Sequence, residues 1–508
     1  MQGFSGAWLW ALLWCVVAAW VNAQSLINLD NGWLLYAAGR MQDGAQPYVD
    51  FYETNPPLVL WLFSVPAWLA RMVGAPPVAM FHAVVLVLAA ISLWLAYGQL
   101  KRHPHWQKPA QGGFVLAALA QAVLGCSTLL FGQREHLFIL LALPYFVWAV
   151  NPDRAPLAGL RAFIIPVMAA VGFCIKPFFA LIWLAGVAFD LLRQRSLRPL
   201  FARDNVLIVL LAALYLLAIA FFTPDYLHVM LPLLSQSYSG FDSPWWAVAL
   251  RSAGVCALYG LPLFFLALDA TQRKILAYLL GALLAMAVQH KGWLNHFYPV
   301  LFFGAWLFAA LFAQALAAQR ERAQAPSLPR FALLWLLAFV PFALPPVHMA
   351  MTRATEREQR DYIGQLAPLV EAAQAQGQPM MVLSFDLGAA FPAVNALPVS
   401  YPFRLHHLWM WPAIVKSALS PEKSQPLTQW LQGIVVEDLA RFRPALVVVD
   451  SNAGLSGPLQ GFDFIAELGK NPGFAQEWKN YRQLGKIDVK TAGKNWNTGQ
   501  YRVYARIP

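Results

Sequence analysis

Apolar and polar positions in this chain alternate in long blocks rather than with the short periods of soluble elements. Apolar runs occupy residues 6–23, 78–100, 112–131, 136–150, 205–222, 244–268, 275–289, 297–317 and 331–346. A helix needs about 20 residues to cross the ~30 Å apolar layer of a bilayer, and most of these runs approach that length. A further run at 162–192 is interrupted by Lys176-Pro177. Proline removes a backbone donor and clashes with the preceding turn, so this run reads as two short helices meeting at a break. The pattern predicts about eleven transmembrane helices.

Beyond residue 346 the period changes. Residues 380–386 (MMVLSFD) and 445–450 (ALVVVD) are β-type runs, and 501–506 (YRVYAR) alternates like a terminal strand. Polar, helical-looking stretches near 354–376 and 427–441 precede the first two. Strands alternating with helices predict a small α/β domain over 347–508, after a transmembrane domain over 1–346 whose long loop, 24–77, carries juxtamembrane helices. Asp386 and Asp450 each end a strand, where open sheets place ligand groups and where ordinary turns also carry Asp.

Composition agrees with the membrane assignment. Of 508 residues, 59% are hydrophobic and 12% charged, with a mean hydropathy of +0.51. Soluble domains carry about 25% charged residues. The four cysteines all lie in apolar runs, without disulfide or metal-ligand spacing. The formal charge of +11 is spread through short loops, and no dense basic patch interleaved with aromatics marks a nucleic-acid partner.

Those loop charges orient the chain. One set of loops carries fourteen Lys and Arg, from Lys101 to Arg330; the other carries six, namely Arg40, Arg71, Arg134, Lys176, Arg251 and Lys291. Cytoplasmic loops hold the excess, so the 24–77 loop and everything after 347 are expected outside. Val21-Asn22-Ala23 resembles a signal-peptidase site, but residues 1–23 contain no Lys or Arg, so they are read as a retained first helix.

On the expected outer face, charge concentrates in four segments: residues 30–57, 132–136 (GQREH), 174–178 (CIKPF) and 289–299 (QHKGWLNHFYP). Ionisable groups at membrane depth are costly and usually face a polar cavity and one another. Lys176, inside an apolar stretch, needs an anionic partner. Any one segment could be a solvated loop; four on one face suggest a shared site. The clustered acids could also hold Mg²⁺ or Mn²⁺ through oxygen ligands, although no spacing demands it.

The order of these motifs resembles the integral-membrane GT-C glycosyltransferases, the group that includes protein O-mannosyltransferases and the lipid A aminoarabinose transferase. The resemblance runs over residues 5–345. It consists of Asp30 soon after the first helix, Gly44-Ala45-Gln46-Pro47-Tyr48-Val49-Asp50, Asn55-Pro56-Pro57-Leu58, the Lys176-Pro177 break, and Lys291-Gly292-Trp293 with His296. Many relatives have Asp-Glu at the first motif, whereas this chain has Asp30-Asn31, which removes any role resting on the second acid.

The resemblance implies a polytopic α-helical GT-C fold in the cell inner (plasma) membrane, with the active site and C-terminal domain on the periplasmic side. It implies a sugar donor carried on polyprenyl phosphate and a glycan, lipid or protein acceptor. An attacking hydroxyl needs a base, for which Asp30 is the first candidate and Asp50 or Glu53 the alternative or helper. A departing phosphate needs fixed cations, here Lys176, Arg134, Lys291 and His296. Tyr48, Glu135 and Trp293 are candidate substrate-binding residues. Asp50 and Glu53 could equally cap or pair within the loop. The competing reading is a transporter or flippase of a lipid-linked sugar or glycolipid, but transporters are commonly built from repeats with paired broken helices, and this chain has one such break and no repeat. A third reading is a non-catalytic assembly subunit, in which Asp30 would tolerate mutation.

Overall fold

The computed structural model describes residues 2–127, 130–152, 154–260, 268–322, 349–350, 353–415, 421–451, 461–489 and 500–507. The expected span at 331–346 lies outside them. The chain forms two compact units. The first comprises Met1–Gln24, Ala75–Ala218 and Ser243–Met351; the second comprises Ser25–Gly74, Ile219–Asp242 and Thr352–Pro508.

The first unit is helical. Among the described residues, six helices are long and apolar enough to cross a membrane: Phe4–Gln24, Pro77–Leu100, Pro177–Gln194, Arg203–Phe222, Ala270–Val288 and Leu294–Ala315. Shorter apolar helices at Pro109–Leu124 and Arg161–Cys174 add to them. Helix Arg134–Ala149 is apolar on nearly all sides beyond its first turn, and every residue of it is buried. Such a helix belongs at the centre of a bundle. Helices at the periphery leave one face outward, as Val209, Leu216 and Phe221 do on Arg203–Phe222. Close packing has its own sequence cause at Gly281, where an added Cβ would lie 2.9 Å from Ile182 Cα on helix Ala180–Gln194. Buried Asp190 accepts from Arg154 at 3.1 Å and Lys274 at 2.6 Å. This places three of the bundle's charges together.

Two breaks position the chemistry. The 162–192 run divides as expected, into Arg161–Cys174, a 3₁₀ turn at Pro177–Phe179 and Ala180–Gln194, with Lys176 in extended backbone between them. The expected spans at 112–131 and 136–150 are shorter at their junction. Helix stops at Leu124 and restarts at Arg134, directly after left-handed Gly132 (φ +73°) and extended Gln133. The charged GQREH turn therefore delivers Arg134, Glu135 and His136 into the first turn of the buried helix.

The second unit contains a four-stranded mixed sheet: β1 (Met380–Leu383), β2 (Leu446–Asp450), β3 (Tyr481–Asp488) and β4 (Gln500–Arg506), in the order β1-β2-β4-β3. β1 and β2 are parallel; β4 runs antiparallel to β2 and β3. β1 and β2 are entirely buried, as continuous apolar strands should be when covered on both faces. Residues 25–74 pack on this same unit. The Arg40 guanidinium donates to the carbonyls of Pro402, Phe403 and Asp50, and the Tyr401 amide donates to the Tyr36 hydroxyl at 2.6 Å. The helices of that segment are Leu29–Gln42 and Leu58–Val73.

Candidate functional site

In the first unit, three chain segments converge on one buried polar cluster. Glu135 lies in the first turn of Arg134–Ala149, Asn295 and His296 in the first turn of Leu294–Arg322, and Lys176 in the helix break. Helix N-termini carry partial positive charge and unsatisfied N–H groups, so two of them here favour an anion. The Lys176 ammonium donates to Glu135 Oε1 at 2.6 Å, and the Asn295 amide donates to the same oxygen at 3.0 Å. Glu135 is 1% exposed, and its Oε2 has no hydrogen-bond partner among the described residues; nor does His296 Nδ1. Arg134 and Lys291, also buried, lie within electrostatic range of His296, as does Lys176. Trp293 sits beside His296, ring centroids 5.5 Å apart. The structure thus brings together Arg134, Glu135, Lys176, Lys291, Trp293 and His296. Asn295, absent from the sequence expectations, joins them; its only signal was its place in the charged 289–299 segment.

Two neighbouring features shape this cluster. His136 is structural: its Nδ1 accepts from the Gly132 amide at 2.9 Å and its Nε2 meets the Val123 carbonyl at 2.8 Å. The turn it closes depends on glycine, since a Cβ at Gly132 would lie 2.3 Å from Phe81. Gly132→Ala should destabilise the protein by about 1–3 kcal/mol through backbone strain and this overlap. A lowered thermal midpoint in detergent checks it. The second feature is an apolar cleft of about 280 Å³ flanking the break, lined by Phe173, Cys174, Ala180, Trp183, Ile208 and Leu216.

In the second unit the candidate carboxylates have separate surroundings. Glu53 is 1% exposed and held on both oxygens: Trp33 Nε1 donates to Oε2 at 2.6 Å, the Asn55 amide to Oε1 at 2.8 Å, and the Asn55 side chain to Oε1 as well. Tyr48, in left-handed backbone (φ 67°), donates its hydroxyl to the Asn55 carbonyl at 2.8 Å and packs against Tyr226. Burial, with Glu53 adding to it, pushes the Tyr226 hydroxyl up to about 12. Asp50 closes its own loop, accepting from the Gln46 amide at 2.8 Å.

Asp30 differs from both. It sits half-buried in the first turn of Leu29–Gln42, and Asn28 rather than Asp30 supplies the cap. The helix packs against the segment that follows β1, with Trp33 stacked on His406 (ring centroids 4.6 Å apart) and the Asn395 amide donating to the Gly32 carbonyl. Asp386 follows β1, and its carboxyl is raised by burial and by the charge of Asp30, against a Gly388 amide that lowers it. Among the described residues, no group of three or more His, Cys, Asp or Glu is placed to hold a metal ion.

No protein-family model and no curated protein matches the chain. Solved structures do. The crystal structure of ArnT from Cupriavidus metallidurans bound to undecaprenyl phosphate matches with a TM-score of 0.53 at 12% identity, over 98% of this chain and 98% of that one. This chain has the ArnT fold. The polytopic, membrane-spanning helical architecture expected from the sequence is borne out. The archaeal oligosaccharyltransferase AglB from Archaeoglobus fulgidus, in complex with an inhibitory peptide and a dolichol-phosphate, matches over 93% of this chain and 72% of that one at 12% identity. Its TM-score is 0.42.

Proposed function

We propose that this protein is a glycosyltransferase that moves a sugar from a polyprenyl-phosphate donor to an acceptor hydroxyl at the outer face of the cell's inner membrane. The observation that carries the reading is the buried Lys176–Glu135–Asn295 cluster, where two helix N-termini meet a helix break in a chain with the ArnT fold. That neighbour was crystallised with undecaprenyl phosphate. The apolar cleft beside the break suits a prenyl chain, whose phosphate would then lie at the cation cluster.

The chemistry follows from these groups. Asp30 takes the acceptor's proton as its oxygen attacks the anomeric carbon; the bond from that carbon to the phosphate oxygen breaks, and polyprenyl phosphate leaves. A single displacement inverts the anomeric centre. Lys176, Arg134, Lys291 and His296 stabilise the charge that develops on the phosphate. Asp50 and Glu53 support the loop rather than the proton transfer, since turn closure and Trp33 engage their oxygens. Trp293, beside His296, contacts the sugar, Glu135 faces the phosphate through Lys176, and Tyr48 holds the Asn55 turn. A chelator titration of turnover tests whether Mg²⁺ or Mn²⁺ at the outer acids takes part.

Two experiments test the reading. Deleting the gene should make a polyprenyl-phosphate sugar accumulate and remove one surface-glycan modification; unchanged levels of both contradict it. Reporter fusions after Lys108, Arg203 and Arg322 should read as cytoplasmic, and those after Gly44 and Gly377 as external. An inside signal at Gly377 would detach the C-terminal segment from the proposed active face.

A further inference from the structure

We propose that Glu135 is a resident counter-ion that competes with phosphate for Lys176 and drives the lipid-phosphate product out of the site. The inference rests on the lipid-phosphate reading above. A carboxylate 2.6 Å from a buried ammonium is an odd companion for a phosphate site, because it repels the ligand and occupies the cation. It is also held deliberately. Asn295 pins Oε1, while Oε2, fully enclosed, accepts no hydrogen bond among the described residues and has only the nearby charges of Arg134 and His296.

The charge change in the reaction gives this carboxylate a use. The donor is a phosphodiester with one negative charge. Transfer breaks its bond to the sugar and leaves a phosphomonoester, which carries about −1.5 to −2 at pH 7 because its second pKa is near 6. A site made only of cations and helix N-termini would therefore hold product more tightly than donor and stall. Glu135 repels a dianion more than a monoanion, and it offers Lys176 a partner once the phosphate departs. It lowers affinity for both ligands and lowers that for product more.

The test uses the full-length protein in lipid nanodiscs, with undecaprenyl phosphate as the product probe and its methyl phosphodiester as the donor surrogate. Glu135→Gln keeps volume and an acceptor for Asn295 but removes the charge. The monoester should bind roughly tenfold tighter to Glu135→Gln, and the diester should gain less. The monoester's extra gain should fade at pH 5, where it too carries a single charge. An unchanged or reduced preference for monoester at pH 7 overturns the inference while leaving the donor reading intact. Failure of the parent protein to bind either lipid phosphate overturns the donor reading itself. Should Glu135→Gln not fold, Glu135→Asp keeps the charge but draws it back from Lys176. It should shift the preference the same way by a smaller factor, and a shift toward diester overturns the proposal.

Discussion

Asp30→Asn should insert normally, bind donor, and transfer sugar about 10²–10⁴-fold more slowly, equivalent to roughly 3–5 kcal/mol of barrier. The substitution keeps side-chain volume and removes only the basic oxygen. Folding should hardly respond, because Asn28 supplies the helix cap and Asp30 is half-exposed. Its neighbours should behave differently. Asp50→Asn disturbs the acceptor of the Gln46 amide, and Glu53→Gln has one oxygen where two are used by Trp33 and Asn55. Both should show as lowered thermal stability with smaller losses in turnover. Near parental turnover in Asp30→Asn would remove it as the base; if Asp50→Asn were then inactive, the roles would exchange.

Lys176→Met should weaken donor binding by about 30- to 5,000-fold, equivalent to the ~2–5 kcal/mol cost of truncating one member of a buried charge pair. It also strands the Glu135 carboxylate, which is 1% exposed, so stability should fall, by up to about 3–5 kcal/mol. The double variant with Glu135→Gln separates the two effects. It should regain stability without regaining parental donor affinity. Lys176→Arg should retain partial function, since it keeps charge but not geometry. Parental donor affinity in Lys176→Met, read by equilibrium binding in detergent, would take Lys176 out of the site.

What the sequence could and could not reveal follows from the range of each interaction. The Lys176-Pro177 break is local chemistry and was legible. So were β1 and β2, which are continuous runs of apolar residues. β3 was not, because Tyr481–Asp488 mixes Arg482, Gln483 and Lys486 into an irregular alternation and has a register shift near Gly485. The premature end of helix at Leu124 was hidden by residues 125–131, which are apolar enough to continue a span but are followed by left-handed Gly132. Long-range pairings were invisible in principle. Nothing local announces that Arg40 donates to carbonyls more than 360 residues away, that Asn295 shares an oxygen with Lys176, or that Asp30 influences Asp386. The need of Lys176 for an anion was legible from its apolar surroundings; Glu135 as that anion required the fold.

The most direct test of the central claim uses purified protein in proteoliposomes, loaded with the polyprenyl-phosphate sugars extracted from the deletion strain and with acceptor envelope from the same cells. Mass spectrometry then follows the sugar–phosphate bond. Glycosyl transfer predicts free polyprenyl phosphate and sugar-modified acceptor in equal amounts, with both lost in Asp30→Asn. An intact sugar–phosphate lipid that merely changes leaflet, equally with the parent protein and Asp30→Asn, would contradict it and identify a transporter instead.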